Sequence, residues 1–477
     1  SDTDPNNRYQ KAYNLIGDVY AGYMSGTNNW DGGTNPQIYA LNGSDWCNVP
    51  FSESFTNVMP AWLQLKYAHA NGLLSDDIFA VANILKVMSL HRVSDIYGPL
   101  PVLHFGETEN PYNSQEECYM HFFETLDSAI AVLKDVVENN PDAKPLEEVD
   151  ALYHGDYSKW LKLANSVKLR LAMRICYVKP DLAKQYAMEA VRDGVMETAD
   201  DSALFQSWGS ITIINPLEKI WNGYSDTRMG ASMDSYLNGY NDPRLPVYFQ
   251  PVTEGDNKGE YRGVANGMPN PQQEDYKAMS APNVQEKSTD SPLRWMMASE
   301  VAFLRAEGAM RGWTAEMGGT AEEFYNKGIE LSFLENGLSA DAAARYAADE
   351  TSKPTDFTDV SAANTKYNIS ALGKITIKWN AGASEEEQLE RIITQKLIAM
   401  FPNGTEAWSE FRRTGYPLIF PVRSNYPTSG VDTNKQIRRM VFPQSEYSNN
   451  GAAVQEAVKL LGGPDNGGTK LWWDKKN

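Results

Sequence analysis

Segment after segment of this chain places apolar residues three and four positions apart, and that period restricts the possible folds more than any motif does. Phe55, Val58, Met59, Trp62 and Leu65 form one stripe, and Ile78, Val81, Ala82, Leu85 and Met88 form a second. Between the two, Asn71 and Gly72 suit a helix end, and Ser75 suits an N-cap followed by Asp76 and Asp77 in the first turn. The spacing predicts an antiparallel helical hairpin. The arrangement returns downstream. Tyr119, Phe122, Leu126, Ile130, Leu133 and Val137 mark one helix, and Trp160, Leu163, Val167, Leu171 and Ile175 mark its partner. A shorter helix is expected from Asp181 to Arg192, and an earlier one from about Tyr9 to Met24 on Tyr13, Ile16, Tyr20 and Tyr23. Stacked helix pairs imply a solenoid-like scaffold. No clean tetratricopeptide signature of about 34 residues is present, so the expectation rests on helix pairing and length.

The period breaks twice. The stretch from Ser25 to Phe51 (NNWDGG, NGSDWC) reads as a long loop carrying Trp30, Tyr39 and Trp46. From about Asp200 to Arg294, Gly, Pro, Asn and aromatic residues take over. Helices resume at Met297 to Gly312, Ala321 to Leu334 and Glu385 to Met400. KITIKW, Lys374 to Trp379, alternates like a short strand, and the stretch from Thr414 suits an irregular tail wrapped over a completed core. The expected fold class is mostly α: a helical scaffold of tetratricopeptide-like helix pairs with a loop-rich inserted subdomain and few short strands. The expected division is an N-terminal helical scaffold over 1–199 with its loop at 25–51, a loop-rich ligand-binding insertion over 200–295, and a C-terminal helical scaffold with an irregular tail over 296–477. These form one intertwined unit.

Composition and motifs remove several functions. The chain has 477 residues and 42% hydrophobic content, enough for a large core. With 43 Lys and Arg against 62 Asp and Glu, the net charge of −19 repels phosphate backbones and anionic lipid, so nucleic acid is not an expected partner. Cys47, Cys118 and Cys176 have neither zinc-knuckle nor disulfide-framework spacing, and their odd number leaves at least one thiol free. His69, His91, His104, His121 and His154 form no HExxH or HxH pair and are expected in packing or at the surface. No GxSxG elbow, phosphate loop or GxGxxG turn occurs. Asp2, Asp4 and Asn6 have calcium-loop spacing, but Asn7 and Tyr13 stand where that loop needs Gly and Glu. No metal and no cofactor are expected. No run approaches the ~20 apolar residues of a membrane span, and the chain opens at Ser1 without a signal segment, so any such segment is expected to have been removed.

The remaining signal is aromatic: 12 Trp and 25 Tyr exceed what packing demands. Sugars lay flat C–H faces on such rings while their hydroxyls bond amides and carboxylates. Three segments mix rings with amides: Trp30 with Asn35 and Gln37, Trp208 and Asn215 with Trp221 and Tyr224, and Tyr276 within QQEDYKAM. The expected ligand-binding residues are therefore Trp30, Asn35, Tyr39, Trp46, Trp208, Asn215, Trp221, Tyr224 and Tyr276. Any one Trp is more often an anchor than a contact, and Trp62, Trp160 and Trp313, in or at the ends of periodic helices, are assigned to packing. Lys162, Lys168, Arg170 and Arg174 are expected to form a solvated or inter-helix charged face.

Several blocks, taken in order, resemble the SusD-like (SusD/RagB) family of outer-membrane nutrient-binding lipoproteins. They are TDPNN, RVSDIYGPLPV, KWLKLANSVKLRLAMRI, NDPRLPVYF, ASEVAFLRAEGAMRGW, FYNKGIELSF, QKLIAMFPNGTEAWSEFRRTGYP, RRMVFPQSEYSNN and TKLWWD, spanning Asp4 to Asp474. The resemblance implies a non-enzymatic cell-surface glycan-binding lipoprotein of the outer membrane, carrying tetratricopeptide-like pairs and an irregular ligand-bearing subdomain. It implies an oligosaccharide or polysaccharide ligand and a SusC-like TonB-dependent transporter as partner. It also implies membrane attachment only through a lipidated N-terminal cysteine, which this chain lacks and which a start just after it would explain. The family's blocks do not carry its ligand contacts, so the nine site residues rest on ring-and-amide clustering alone. A peptide ligand is the nearer alternative. A glycoside hydrolase using two carboxylates such as Asp226 and Asp234 is the remoter one.

Overall fold

The paired periodicity becomes paired helices. The computed structural model describes residues 4–42 and 45–476. Ser1, Asp2 and Thr3 of the polar leader, with Asp2 of the calcium-like spacing, lie outside the described residues, as do Gly43 and Ser44 of the first loop. Helices longer than ten residues are numbered in chain order: α1 Met59–Ala70, α2 Asp76–Tyr97, α3 Gln115–Asn139, α4 Tyr157–Arg174, α5 Pro180–Asp193, α6 Ala298–Met310, α7 Ala321–Glu335, α8 Glu385–Ala399, α9 Gly404–Thr414 and α10 Gln444–Leu461. Asn71 closes α1, and Gly72 turns the chain at φ 69°, which a residue without Cβ adopts freely. Ser114 and Thr320 start α3 and α7 with reciprocal capping boxes to Glu117 and Glu323.

From α1 to α5 each helix packs on the next, α6 packs on α7, and α8 crosses both, so one extended core runs through the molecule. Trp62, Trp160 and Trp313 are buried in it, as their helical spacing predicts. A second, smaller core gathers Val264, Tyr276 and Met279 with Phe357, Tyr367 and Phe420. Among the described residues the fold is mostly helical with two small sheets, each antiparallel. Strand β1 (Met24–Gly26) pairs with β3 (Thr227–Met229), tying the first loop to the aromatic-rich block. Strand β2 (Ala203–Phe205) pairs with β4 (Leu293–Met296), bringing the two ends of that block side by side.

Arg170 and Arg174 are inter-helix but not solvated. Arg170 holds Glu300 of α6 through Nε and Nη2, at 2.7 and 2.8 Å, and Arg174 binds Glu406 and Glu410 of α9. Arg413 completes the array against Glu307, at 2.7 Å through each terminal nitrogen, and Lys396 reaches Glu410 at 2.9 Å. All these side chains are buried, so each charge must find a partner inside a medium that solvates it poorly. Lys168 is buried between Asp127 and Glu189, while Lys162 is the half-exposed member, paired with Asp201.

Three further elements differ from the sequence reading. The first helix begins at Pro5, because Asp4 accepts from the Asn6 amide and Pro suits the first position; it then widens into a π-helical stretch over Gln10–Asp18. KITIKW is irregular, with a bend at Ile377 and Lys378; it keeps alternating burial but joins no sheet. Side-chain and loop groups take the place of a partner strand: Tyr240 donates to the Ile375 carbonyl at 2.9 Å, Tyr325 donates to that of Ile377 at 2.5 Å, and the Lys378 amide donates to the Asp349 carbonyl at 2.8 Å. The segment after Thr414 is irregular only as far as Pro443, where α10 begins. Only Val454 and Ala457 of α10 are buried, too little apolar surface for its period to stand out in the sequence.

Candidate ligand-binding groove

The pairing of β2 with β4 stacks Phe205 on Trp295, with ring centroids 4.7 Å apart and planes 25° from parallel. Trp295 then forms part of the wall of three adjoining depressions of about 220, 330 and 380 Å³. Tyr13 and Arg92 are shared by the smallest and the largest, Leu85 by the two larger ones, and Phe205 by the two smaller, so the three form one continuous groove.

The middle depression is apolar, lined by Leu65, Ile78, Val81, Leu146, Val149 and Leu152. The largest runs over Pro50, Val58, Met88 and Val93 to the carboxylate of Glu53, which Arg8 holds with Nε at 2.6 Å. The smallest is the most polar of the three. Tyr9 and Tyr13 stand four residues apart on one helix face, ring centroids 5.1 Å apart, and Tyr13 is 36% exposed. The guanidinium of Arg92 lies 6.0 Å from the Tyr13 ring and donates to Asn403 Oδ1 at 3.2 Å. Asp18 is at the back of this end, hydrogen-bonded by Asn14 at 3.2 Å. Its burial pushes the carboxyl up to about 7, against the opposing pull of Asn14 and the Gly404 amide. Rings beside amides and guanidiniums over an apolar floor suit a ligand with flat C–H faces and many hydroxyls.

The residues singled out in the sequence fall into three groups. Trp30, Trp46, Trp221 and Tyr224 are not among the described residues that line the groove. Trp30 and Trp46 are half-buried and pack edge to face at 6.0 Å and 66°, with the Lys11 ammonium 5.6 Å from the Trp46 ring. Tyr224 donates to Asp4 at 3.0 Å, and Trp221, half-buried, donates to the Val284 carbonyl at 3.0 Å. Trp208 stands apart from these: its ring lies on His154 at 3.4 Å and 11°, and its Nε1 donates to the Glu147 carbonyl at 2.6 Å.

The third group is buried, which corrects the expectation of surface contact. Tyr39 is packed beside Tyr20, 5.9 Å between ring centroids, and Tyr276 lies in the smaller core with its hydroxyl bound to Asp359 and Asn364. Asn35 and Asn215 are buried and serve the backbone instead: Asn35 accepts from the Gln37 amide at 3.0 Å and Asn215 from the Leu217 amide at 3.1 Å, each opening a short helical turn. Asn215 also lines the polar end of the groove. The sequence reading missed Tyr9, Tyr13, Arg92, Phe205, Arg294 and Trp295. Their one advance signal is Trp295, set next to Arg294 in the unperiodic SPLRW just before α6.

The carboxylates weighed for hydrolysis are both buried and engaged: Asp226 accepts from Gln10 at 2.9 Å, and Asp234 from the Gly263 amide at 2.7 Å and Asn238 at 2.9 Å. His91, Asp95 and Glu406 bring possible metal-ligand atoms within 4.8 Å of one another, but the guanidiniums of Arg170 and Arg174 already neutralise that cluster. The three cysteines are free thiols and buried. Among the described residues no helix is long and apolar enough to cross a membrane.

Comparison with known proteins agrees with this architecture. The family model described as SusD-like, Susd and RagB outer membrane lipoprotein, matches residues 1–474. A chitin-binding SusD homolog from Flavobacterium johnsoniae is 39% identical, with a TM-score of 0.92 over 99% of this chain and 96% of that one. A SusD-like protein from Bacteroides thetaiotaomicron is 38% identical at TM-score 0.92, again over 99% and 96%. A SusD homolog from Bacteroides uniformis is 38% identical at TM-score 0.89 over 98% and 96%. No curated protein matches the sequence. The chain therefore belongs to the SusD-like family of outer membrane lipoproteins.

Proposed function

We propose that this protein binds a glycan on the cell surface, in the groove centred on Trp295, and passes the captured oligosaccharide to a TonB-dependent transporter of the outer membrane. The observation that carries the reading is the stack of Phe205 and Trp295 beneath three joined depressions that also hold Tyr9, Tyr13 and Arg92. Ring faces receive the C–H faces of a sugar, and the amides of Asn403 and the guanidinium of Arg92 receive its hydroxyls. The chitin-binding homolog from Flavobacterium johnsoniae, at 39% identity, supports carbohydrate as the ligand class. Trp30 and Trp46 form a second ring pair that an extended glycan leaving the groove would meet. The block over 200–295 supplies one wall of the groove and the helical scaffold the other. The role is binding without turnover, and membrane attachment is through an N-terminal lipid.

Calorimetric titration with a panel of oligosaccharides, chitin oligomers included, tests this reading. Saturable binding of at least one glycan, without release of new reducing ends on long incubation, is the expected result. Absence of binding across the panel, or turnover in proportion to protein, contradicts it.

A further inference from the structure

Two arginines, Arg92 of α2 and Arg294 of β4, line the 220 Å³ polar end of the groove, and among the described residues neither forms an ion pair. A guanidinium carries five N–H donors. Arg92 uses one of them, on Asn403. Arg294 uses Nη2 alone, on Asn336 at 2.9 Å and the Glu335 carbonyl at 3.4 Å, and its Nη1 is buried without a partner. Thr405 Oγ1, in the wall of the same cavity on a residue 3% exposed, likewise has no partner. Buried donors left unfilled are costly, and where Arg170, Arg413 and Arg244 each hold a carboxylate through two nitrogens, neither Arg92 nor Arg294 holds one among the described residues.

The cavity is therefore rich in cationic donors and short of acceptors. Among the described residues Asp18 is the one carboxyl group in its lining, and burial, which pushes it up to about 7, suppresses its charge below neutral pH. The chain as a whole carries a net charge of −19 and repels anions, so an anion that binds here must be recognised by short-range contacts. The rings of Tyr9, Tyr13 and Trp295 border the same cavity, which has room for one sugar unit.

We propose that this end of the groove takes an acidic sugar, with the carboxylate of a uronic acid residue held by Arg92 and Arg294 while its ring lies against Tyr13 and Trp295. The proposal rests on the glycan-binding reading above and narrows it to a ligand class. A planar carboxylate matches the fork of a guanidinium, accepts two hydrogen bonds from it, and supplies the acceptors that the cavity lacks.

The test is calorimetric titration with matched pairs: galacturonate, glucuronate and mannuronate tetramers, each against its carboxyl-reduced neutral counterpart, with chitin tetramer and a sulfated tetramer alongside. The expected result is that at least one uronate binds tenfold or more tighter than its reduced partner. That ratio should fall to near one in Arg92→Gln and in Arg294→Gln, and be partly kept in Arg92→Lys. If Arg294→Gln fails to fold, the ratio in the wild type and in Arg92→Gln decides the matter. If each acid and its reduced form bind alike, or only the sulfated tetramer gains from charge, the inference is overturned while glycan binding stands. If no oligosaccharide binds at all, the reading beneath it falls too.

Discussion

Phe205 and Trp295, ninety residues apart in sequence, lie stacked with ring centroids 4.7 Å apart because β2 and β4 pair antiparallel at the two ends of the aromatic-rich block. The contact fixes the tilt of the Trp295 ring and places it in the wall of every depression of the groove. Truncating a central aromatic of a binding surface costs about 2 kcal/mol or more, roughly thirtyfold in affinity. Trp295→Ala is therefore expected to weaken glycan binding by that order, and Trp295→Phe by less, since a ring face remains. Titration of both variants with the same oligosaccharide checks the ranking.

Tyr276 predicts the opposite pattern. Its ring lies in the smaller core and its hydroxyl contacts Asp359 at 3.1 Å and Asn364 at 2.6 Å. Tyr276→Phe removes these hydrogen bonds from the half-buried Asp359 and Asn364, a loss of about 1 kcal/mol. Denaturant unfolding should show that loss, and glycan affinity should not move.

Much of the fold was legible because helix pairing is a local signal. The stripes on Phe55 to Leu65 and Ile78 to Met88, with Asn71, Gly72 and the aspartates between them, name both helices and the turn. The groove was not legible, because its members come from stretches far apart in sequence, those around Tyr13, Arg92, Phe205, Trp295 and Asn403 among them, that only the completed fold brings together. Ring-and-amide clustering along the chain chose Trp30, Trp46, Trp221 and Tyr224, which are half-buried, and by the same criterion Tyr39 and Tyr276, which are buried. Composition cannot tell a ring that faces solvent from one that closes a core. It also chose Asn35, whose amide caps a turn, a role that Asn fills as readily as ligand binding, and Asn215, which caps a turn and also lines the groove. KITIKW shows the converse: its alternation reports burial on one side, while strand pairing needs a neighbour that the sequence does not display.

Asp18 gives a pH-dependent stability of definite sign. Its carboxyl is pushed up to about 7 by burial, from an ordinary 3.8. Below pH 3.8 it is protonated whether the chain is folded or not, so it costs nothing. Between about 4 and 7 the unfolded chain ionises while the folded one stays protonated, and stability falls as pH rises, leveling off above 7. Asp18→Asn keeps an acceptor for Asn14 and removes this slope. The variant should be more stable than the wild type at pH 8 by ~2–4 kcal/mol and close to it at pH 4, as thermal unfolding at the two pH values would report.

Glu406 works the other way. Burial alone would raise its carboxyl, but the Arg174 and Arg170 guanidiniums outweigh burial and hold it down to about 2, from an ordinary 4.5. Its contribution is complete above pH 4.5 and is lost as pH falls toward 2. Glu406→Gln leaves Arg174 short of a carboxylate inside the protein, so it should cost about 3–5 kcal/mol at pH 7 and flatten the acid limb of the stability curve. Unfolding followed from pH 7 down to pH 3 tests both statements.

A crystal structure of the protein with a bound oligosaccharide addresses the central claim most directly. The account predicts a sugar ring lying on Trp295, with neighbouring units within reach of Tyr13 and Arg92. A glycan seated wholly on Trp208, or on Trp30 and Trp46, with the Trp295 groove filled only by water, would contradict it.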